Sequence, residues 1–221
     1  MDRTDNIEQA VLVDADSVTL EGNLTVPSGA PGVVLFAHGS GSSRHSSRNR
    51  YVASVLQESG LGTLLIDLLT ADEERTDMVT GHLRFDIGLL ARRLAEATEW
   101  LKSQPATATL PVGLFGASTG GGAALVAAAY RPGDVRAVVS RGGRPDLAGD
   151  ALPEVQAPTL LIVGGDDVPV IPLNRQALAQ MRCEKALEIV PGATHLFEEP
   201  GALEQVAALA RDWFLRYLPE R

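Results

Sequence analysis

Six largely apolar runs of strand length punctuate this chain: GVVLFAHG (32–39), GTLLIDLL (62–69), PVGLFGAS (111–118), VRAVVSRG (135–142), PTLLIVGG (158–165) and KALEIVPG (185–192). A strand that is apolar on both faces must be covered on both, which places it inside a parallel sheet whose crossover connections supply the cover. Segments of helix length separate the runs, at about 48–59, 82–103, 120–130, 172–181 and 201–217. Within the second, Leu83, Ile87, Leu90, Leu94, Ala97 and Leu101 recur at spacings of three and four, which marks one apolar helical face. Upstream, residues 10–26 alternate apolar and polar positions around a polar break and end at Pro27, the pattern of a half-exposed antiparallel hairpin at a sheet edge. The expected fold class is therefore α/β, a mostly parallel central sheet with helices on both faces, right-handed crossovers and binding loops at the carboxyl ends of the strands. No repeat, low-complexity tract or linker divides residues 1–221, so one domain with one core is expected.

Charge narrows the function classes. A formal net charge of −9 argues against nucleic acid and anionic membranes as partners, because both are bound by basic surfaces. The single cysteine, Cys183, rules out an internal disulfide and leaves no thiol cluster for zinc or iron–sulfur, which fits the reducing cytoplasm. The opening MDRTDNIEQA is charged and has no apolar h-region, and no run approaches the roughly 18 apolar residues of a membrane span. A protein that is neither exported nor membrane-bound is expected, and nothing in the sequence sets an oligomeric state.

Chemistry enters with Gly116-Ala117-Ser118-Thr119-Gly120, a G-x-S-x-G pentapeptide between a buried-strand run and an alanine-rich helical segment. A sharp strand-to-helix turn forces its serine into strained backbone geometry, and side chains two residues to either side would collide with the adjoining strand and helix. Glycine at 116 and 120 removes those collisions, while Gly121, Gly122, Ala123 and Ala124 let the helix pack closely on the sheet. The plainer reading is a glycine-rich turn whose serine caps a helix. Its position after a central strand favours a nucleophile.

A serine hydroxyl needs a base near neutral pH, and the base needs an orienting acid. Of four histidines only His195 follows the last strand run, in PGATHLFEEPG. His38 ends a strand beside glycine, where fixing the adjacent loop is the expected role, and His45 and His82 sit in polar, solvated surroundings. For the acid, VGGDDVPV offers Asp166 and Asp167 after the preceding run, one of which is expected to serve as a turn or helix-cap residue. The order Ser118, Asp, His195 is the chain order of the α/β-hydrolase arrangement.

On these residues the chain resembles an α/β-hydrolase of the dienelactone-hydrolase-like group, without a cap domain. The resemblance runs through LEGNLTVP, HGSGSS, GASTGG, SRGGRPDLA, LLIVGGDD and PGATHLFEEPG, essentially the whole sequence. It implies a serine hydrolase needing no metal or organic cofactor and acting on a small-molecule carboxylic ester, a thioester or a lactone through an acyl-enzyme. It also implies Asp167 as the acid, the fourth residue of a G-G-x-D stretch. Dienelactone hydrolase itself uses cysteine as nucleophile, so the serine here carries over hydrolysis and not the dienelactone substrate. Similar domains also occur fused to phosphoribosyltransferases, a portion this sequence lacks.

The oxyanion that acyl transfer creates calls for two donors: the amide of Thr119, directly after the nucleophile, and, by resemblance, the amide of Ser40 in HGSGSS. Basic residues gather on the same edge, with Arg44, Arg48 and Arg50 in RHSSRNR and Arg141 and Arg144 after AVVS. Arg44 and Arg141 are candidates to bind a substrate carboxylate or phosphate; the alternative is that these arginines pair with local acids and hold loops. About 15 residues separate the strand at 135–142 from the one starting at 158, too few for a helical lid, so an open pocket suited to small or water-soluble esters is expected. The rivals to an esterase are a non-catalytic member of the fold used for binding or regulation, and an acyltransferase or peptidase built on the same three side chains.

Overall fold

The computed structural model describes residues 7–15 and 17–219. Along the chain run β1 (Gln9–Ala15), β2 (Val18–Thr25), β3 (Val33–Ala37), α1 (Ser47–Glu58), β4 (Gly62–Ile66), α2 (Ala71–Thr80), α3 (Ile87–Ser103), β5 (Val112–Ala117), α4 (Thr119–Tyr130), β6 (Val135–Arg141), β7 (Thr159–Gly164), α5 (Val170–Gln180), β8 (Lys185–Val190) and α6 (Ala202–Tyr217). They build one eight-stranded sheet in the order β1-β2-β4-β3-β5-β6-β7-β8. β1 pairs with β2, and β2 with β4, antiparallel; the six apolar runs pair parallel from β4 to β8. This is the α/β-hydrolase arrangement, and no separate cap domain stands among the described residues.

Every residue of β3, β4, β5 and β7 is buried, which is why these runs carry no polar alternation. Residues of one parity, Leu35, Leu64, Leu114, Val138 and Leu161, face a core completed by Leu90 and Leu94 of α3 and Ala124 and Leu125 of α4. Those of the other parity, Phe36, Phe115, Val139 and Ile162, pack with Val52 and Leu56 of α1 and Val206 and Phe214 of α6. The rings of Phe36 and Phe115 lie 4.9 Å apart between centroids, and burying each such side chain contributes about 1.5–3 kcal/mol. Because β3 sits between β4 and β5, the chain reverses direction across the sheet there, and the loops after β3 and β5 diverge around a crevice at the carboxyl edge.

Three features depart from the sequence expectation. β8 reads as an apolar run but lies at the sheet edge, and only Val190 of it is buried. The helix expected over 82–103 begins at Ile87, capped by Asp86, whose side chain accepts from the Leu89 amide; a short 3-10 turn, Leu83–Phe85, precedes it. α2 was not expected at all: it buries only Asp77 and is held at its start by a capping box in which Thr70 and Glu73 satisfy each other's amides. Between β6 and β7 the chain makes 3-10 turns over Pro145–Glu154, broken at Gly149, and inserts no lid helix.

Candidate active site

β5 ends at Ala117 and α4 begins at Thr119, so Ser118 alone makes the turn, with φ 51 and ψ −121. Among the described residues only Ser118 and Phe197 hold a positive φ without being glycine, a strain that persists where surrounding contacts impose it. Those contacts are visible. The Ser118 amide donates to the Arg141 carbonyl at 3.2 Å, and the Ser118 carbonyl accepts from the Arg144 amide at 3.0 Å. A Cβ on Gly116 would stand 2.4 Å from the Gly120 carbonyl oxygen, and one on Gly120 would stand 2.4 Å from that of Ala37. Only glycine lets β3, β5 and the start of α4 approach this closely.

His195 lies in the β8–α6 loop with Nε2 3.3 Å from Ser118 Oγ and Nδ1 2.7 Å from Asp167 Oδ2. The Asp167 side chain, 9% exposed, follows β7. With Nδ1–H donating to the carboxylate, Nε2 presents a lone pair to the serine hydroxyl. Asp166 is exposed, and its backbone amide donates to the Ala193 carbonyl at 2.9 Å, tying the β7 loop to the histidine loop. A Cβ on Gly164 would lie 2.3 Å from that same Ala193 oxygen, the reason for glycine at this crossing.

Sequence reasoning missed how the histidine loop is held. Glu199 accepts from the Thr194 amide at 3.0 Å and from its hydroxyl at 2.6 Å, and these hydrogen bonds hold the Glu199 carboxyl below its ordinary range. Phe197, at φ 55, buries its ring under the loop. Nothing in THLFEEPG distinguishes Glu199 from Glu198 before the loop is folded.

The Ser40 amide, expected as an oxyanion donor, donates to Thr119 Oγ1 at 2.9 Å. The Thr119 amide belongs to the first turn of α4, where amides have no intrahelical acceptor. His38, 8% exposed, fixes the Ser40 loop: Nδ1 is 2.9 Å from the Gly39 carbonyl oxygen, and Nε2 accepts from the Leu68 amide at 3.0 Å. Burial lowers its pKa, outweighing the Gly39 hydrogen bond and the charges of Asp67 and Glu74. His45 and His82 are exposed.

The arginines divide. Arg44 pairs with Asp67 and, at 2.6 Å, with Glu21, and donates from Nε to Asn23 at 3.1 Å. It is committed to the wall of a neighbouring cleft of about 560 Å³, which His38, Asp67, Thr70 and Glu74 also line. Arg48 meets Glu198 at 3.2 Å, Arg50 meets Glu8 at 3.1 Å and Arg144 meets Asp146 at 2.7 Å. Arg141 has no carboxylate partner among the described residues. It is 6% exposed, donates from Nη2 to Asn49 Oδ1 at 3.2 Å, leaves Nε unsatisfied and stands 5.9 Å from the Phe197 ring centroid. Burial, with the nearby charge of Arg48, lowers its pKa to about 10.

Among the described residues no three His, Cys, Asp or Glu side chains gather as a metal site would, and no helix is long and apolar enough to cross a membrane. What the site offers chemically is a hydroxyl, an imidazole and a carboxylate in line, beside the amides of a helix start.

The model of the dienelactone hydrolase family matches residues 20–218. A dienelactone hydrolase from Anabaena variabilis, solved by crystallography, is 67% identical, with 96% of this chain and 98% of that one covered at a TM-score of 0.95. Two Mycobacterium tuberculosis proteins named "Putative phosphoribosyl transferase" are 62% identical over 211 residues, 96% of this chain and 47% of theirs. The chain thus spans about half the length of the curated relatives it matches. Est1E from Butyrivibrio proteoclasticus, whose structure with ferulic acid bound is 18% identical over 94% of this chain and 98% of that one with a TM-score of 0.77, shares the fold.

Proposed function

The chain belongs to the dienelactone hydrolase family, and from that premise we propose that it is a serine hydrolase cleaving small carboxylic esters, thioesters or lactones through an acyl-enzyme on Ser118. One observation carries the reading: the His195 ring bridges Ser118 Oγ at 3.3 Å and Asp167 Oδ2 at 2.7 Å, from loops that follow three different strands. As Ser118 Oγ attacks the carbonyl carbon, His195 Nε2 takes its proton, and Asp167 holds the imidazole and balances its positive charge. The Thr119 amide, in the first turn of α4 where amides have no intrahelical acceptor, faces the oxyanion, with the Ser40 loop beside it. His195 then hands its proton to the leaving oxygen, sulfur or lactone alkoxide, and the same base activates water to free Ser118. The phosphoribosyl transferase name belongs to proteins about twice as long, and no such transfer is proposed here.

Arg141 extends the reading to specificity. The Arg141 carbonyl accepts from the Ser118 amide at 3.2 Å, so its backbone borders the nucleophile turn, and a guanidinium buried without an acid, as this one is beside Asn49 and Phe197, is costly to maintain. That placement supports a preference for esters carrying a negative charge, whereas Arg44, saturated by Asp67 and Glu21, has a structural role.

Purified protein assayed on p-nitrophenyl esters of graded chain length, on lactones and on thioesters tests the proposal. The expected result is hydrolysis favouring short acyl chains, with free acid and alcohol in equal amounts, abolished in Ser118→Ala. Turnover that survives Ser118→Ala, or no turnover of any substrate, would reject it.

A further inference from the structure

An amide has one proton, and that of Ser40 is spent on Thr119 Oγ1 at 2.9 Å. Thr119 is 5% exposed, directly follows Ser118, and lines a small cavity with Gly39, Ser40, Leu68, Leu90 and Arg84. Its hydroxyl can accept and donate at once. The accepting side is filled by Ser40, and among the described residues its own proton has no acceptor. The Ser40 amide expected to meet an oxyanion is therefore engaged by a hydroxyl that itself has a proton to give.

Two ways of completing the hole differ in what must move. Turning the Ser40 amide toward an oxyanion means re-aiming its loop, and that loop is clamped. His38 holds Gly39 at 2.9 Å and the Leu68 amide at 3.0 Å, and the Ser42 amide donates back to the Gly39 carbonyl at 3.2 Å. A Cβ on Gly39 would lie 3.1 Å from that of Ser118, and the start of α4 abuts the Ala37 and His38 carbonyls. Turning the Thr119 hydroxyl proton needs only rotation about its C–O bond. A hydroxyl oxygen that accepts a hydrogen bond is also polarised into a better donor.

We propose that the Thr119 hydroxyl is a catalytic residue: it donates directly to the developing oxyanion, with the Ser40 amide behind it as polariser, so that Thr119 supplies both a backbone and a side-chain donor. The inference rests on the Ser118 acyl transfer proposed above. It gives the side chain at the second x of G-x-S-x-G a task in the reaction, where the motif asks only for a backbone amide.

The test is steady-state kinetics of Thr119→Val, Thr119→Ala and Thr119→Ser on one soluble p-nitrophenyl ester, with thermal melting of each variant. Valine and alanine remove the hydroxyl, and should lower kcat by about 10²-fold while KM stays within about threefold; serine keeps it and should stay within about threefold in both. Affinity for a trifluoromethyl ketone of the same acyl chain, which binds as a tetrahedral alkoxide, should fall in the valine and alanine variants in step with kcat/KM. A purely structural role would lower the melting temperature without separating kcat from KM. Wild-type kcat in folded Thr119→Val or Thr119→Ala, or a rise as the Ser40 amide is released, overturns the proposal. If Thr119→Val fails to fold, Thr119→Ala decides. Wild-type turnover lost in Ser118→Ala but untouched in both hydroxyl-free variants refutes the threonine alone; no Ser118-dependent turnover in the wild type refutes both readings.

Discussion

Gly120→Ala is the perturbation whose effect can be worked most directly from the structure. Its new Cβ would stand 2.4 Å from the Ala37 carbonyl oxygen and 2.6 Å from that of His38, where ordinary contact begins at 3.4 Å, an overlap of about 1.0 Å (3.4 − 2.4). Both obstacles are backbone, so no rotamer change relieves them. The head of α4 must retreat from β3 by about that distance, taking Ser118 and the Thr119 amide along. Ser118 Oγ already stands 3.3 Å from His195 Nε2, and a retreat of this size removes the contact. Overpacking of this kind costs about 1–3 kcal/mol, which in a domain of this length lowers the melting temperature by about 2–4 °C per kcal/mol. A misplacement of about 1 Å at a reacting centre costs about 10²-fold in rate. Differential scanning calorimetry and kcat on a soluble ester, with Gly133→Ala as control, read both effects, since nothing lies within 4 Å of a Cβ at Gly133. A Gly120→Ala protein with melting temperature and kcat equal to those of Gly133→Ala would refute the close-approach argument.

Asp167→Asn should keep its fold and KM while kcat falls by about 10³–10⁴-fold, because the carboxylate no longer orients and balances the imidazole; a loss under tenfold, measured by ester hydrolysis, would shift the acid role elsewhere. Arg141→Gln should cut kcat/KM for an ester bearing a carboxylate at least about tenfold more than for its neutral counterpart, and equal losses on the two would leave Arg141 out of substrate selection. Arg44→Gln should leave that ratio unchanged. His38 predicts acid lability: burial lowers its folded pKa below the ordinary 6.5, so below that pH the unfolded chain binds a proton the folded one does not. Stability should fall as pH drops through this window, by up to about 1.4 kcal/mol per pH unit from this one group. Urea midpoints at pH 7 and pH 5 should differ less in His38→Gln than in the wild type, and an equal difference would exclude His38 as the source.

Where side chains have a periodic or stereochemical reason to be where they are, the sequence was readable. The inner parallel strands β3, β4, β5 and β7 announced themselves because double-sided burial leaves almost no polar position, and the turn at Ser118 because its neighbours at 116 and 120 must be glycine. Loop order points to His195 and leaves Asp166 and Asp167 as candidate acids, the family resemblance favours Asp167, and the 2.7 Å contact of Asp167 with His195 is visible only in the fold. α2 escaped because its face buries an aspartate instead of an apolar stripe: Asp77 accepts from Arg84 and from the Leu83 amide, which together hold its pKa down despite burial. A signal existed in Thr70-x-x-Glu73, the capping box. β8 misled because KALEIV is apolar enough for the interior, and only the strand order reveals it as an edge. The arginines were unreadable in principle: whether a guanidinium finds an acid depends on residues 21, 67 and 198, which only the fold brings near.

The measurement that bears most directly on the central claim is covalent labelling with a fluorophosphonate, read by intact-mass and peptide mass spectrometry. One adduct per chain is expected, on the peptide containing Ser118, absent in Ser118→Ala and slowed by about 10³-fold in His195→Ala. A wild-type chain that stays unlabelled, or one labelled just as fast without the imidazole, would mean that Ser118 is not an activated nucleophile.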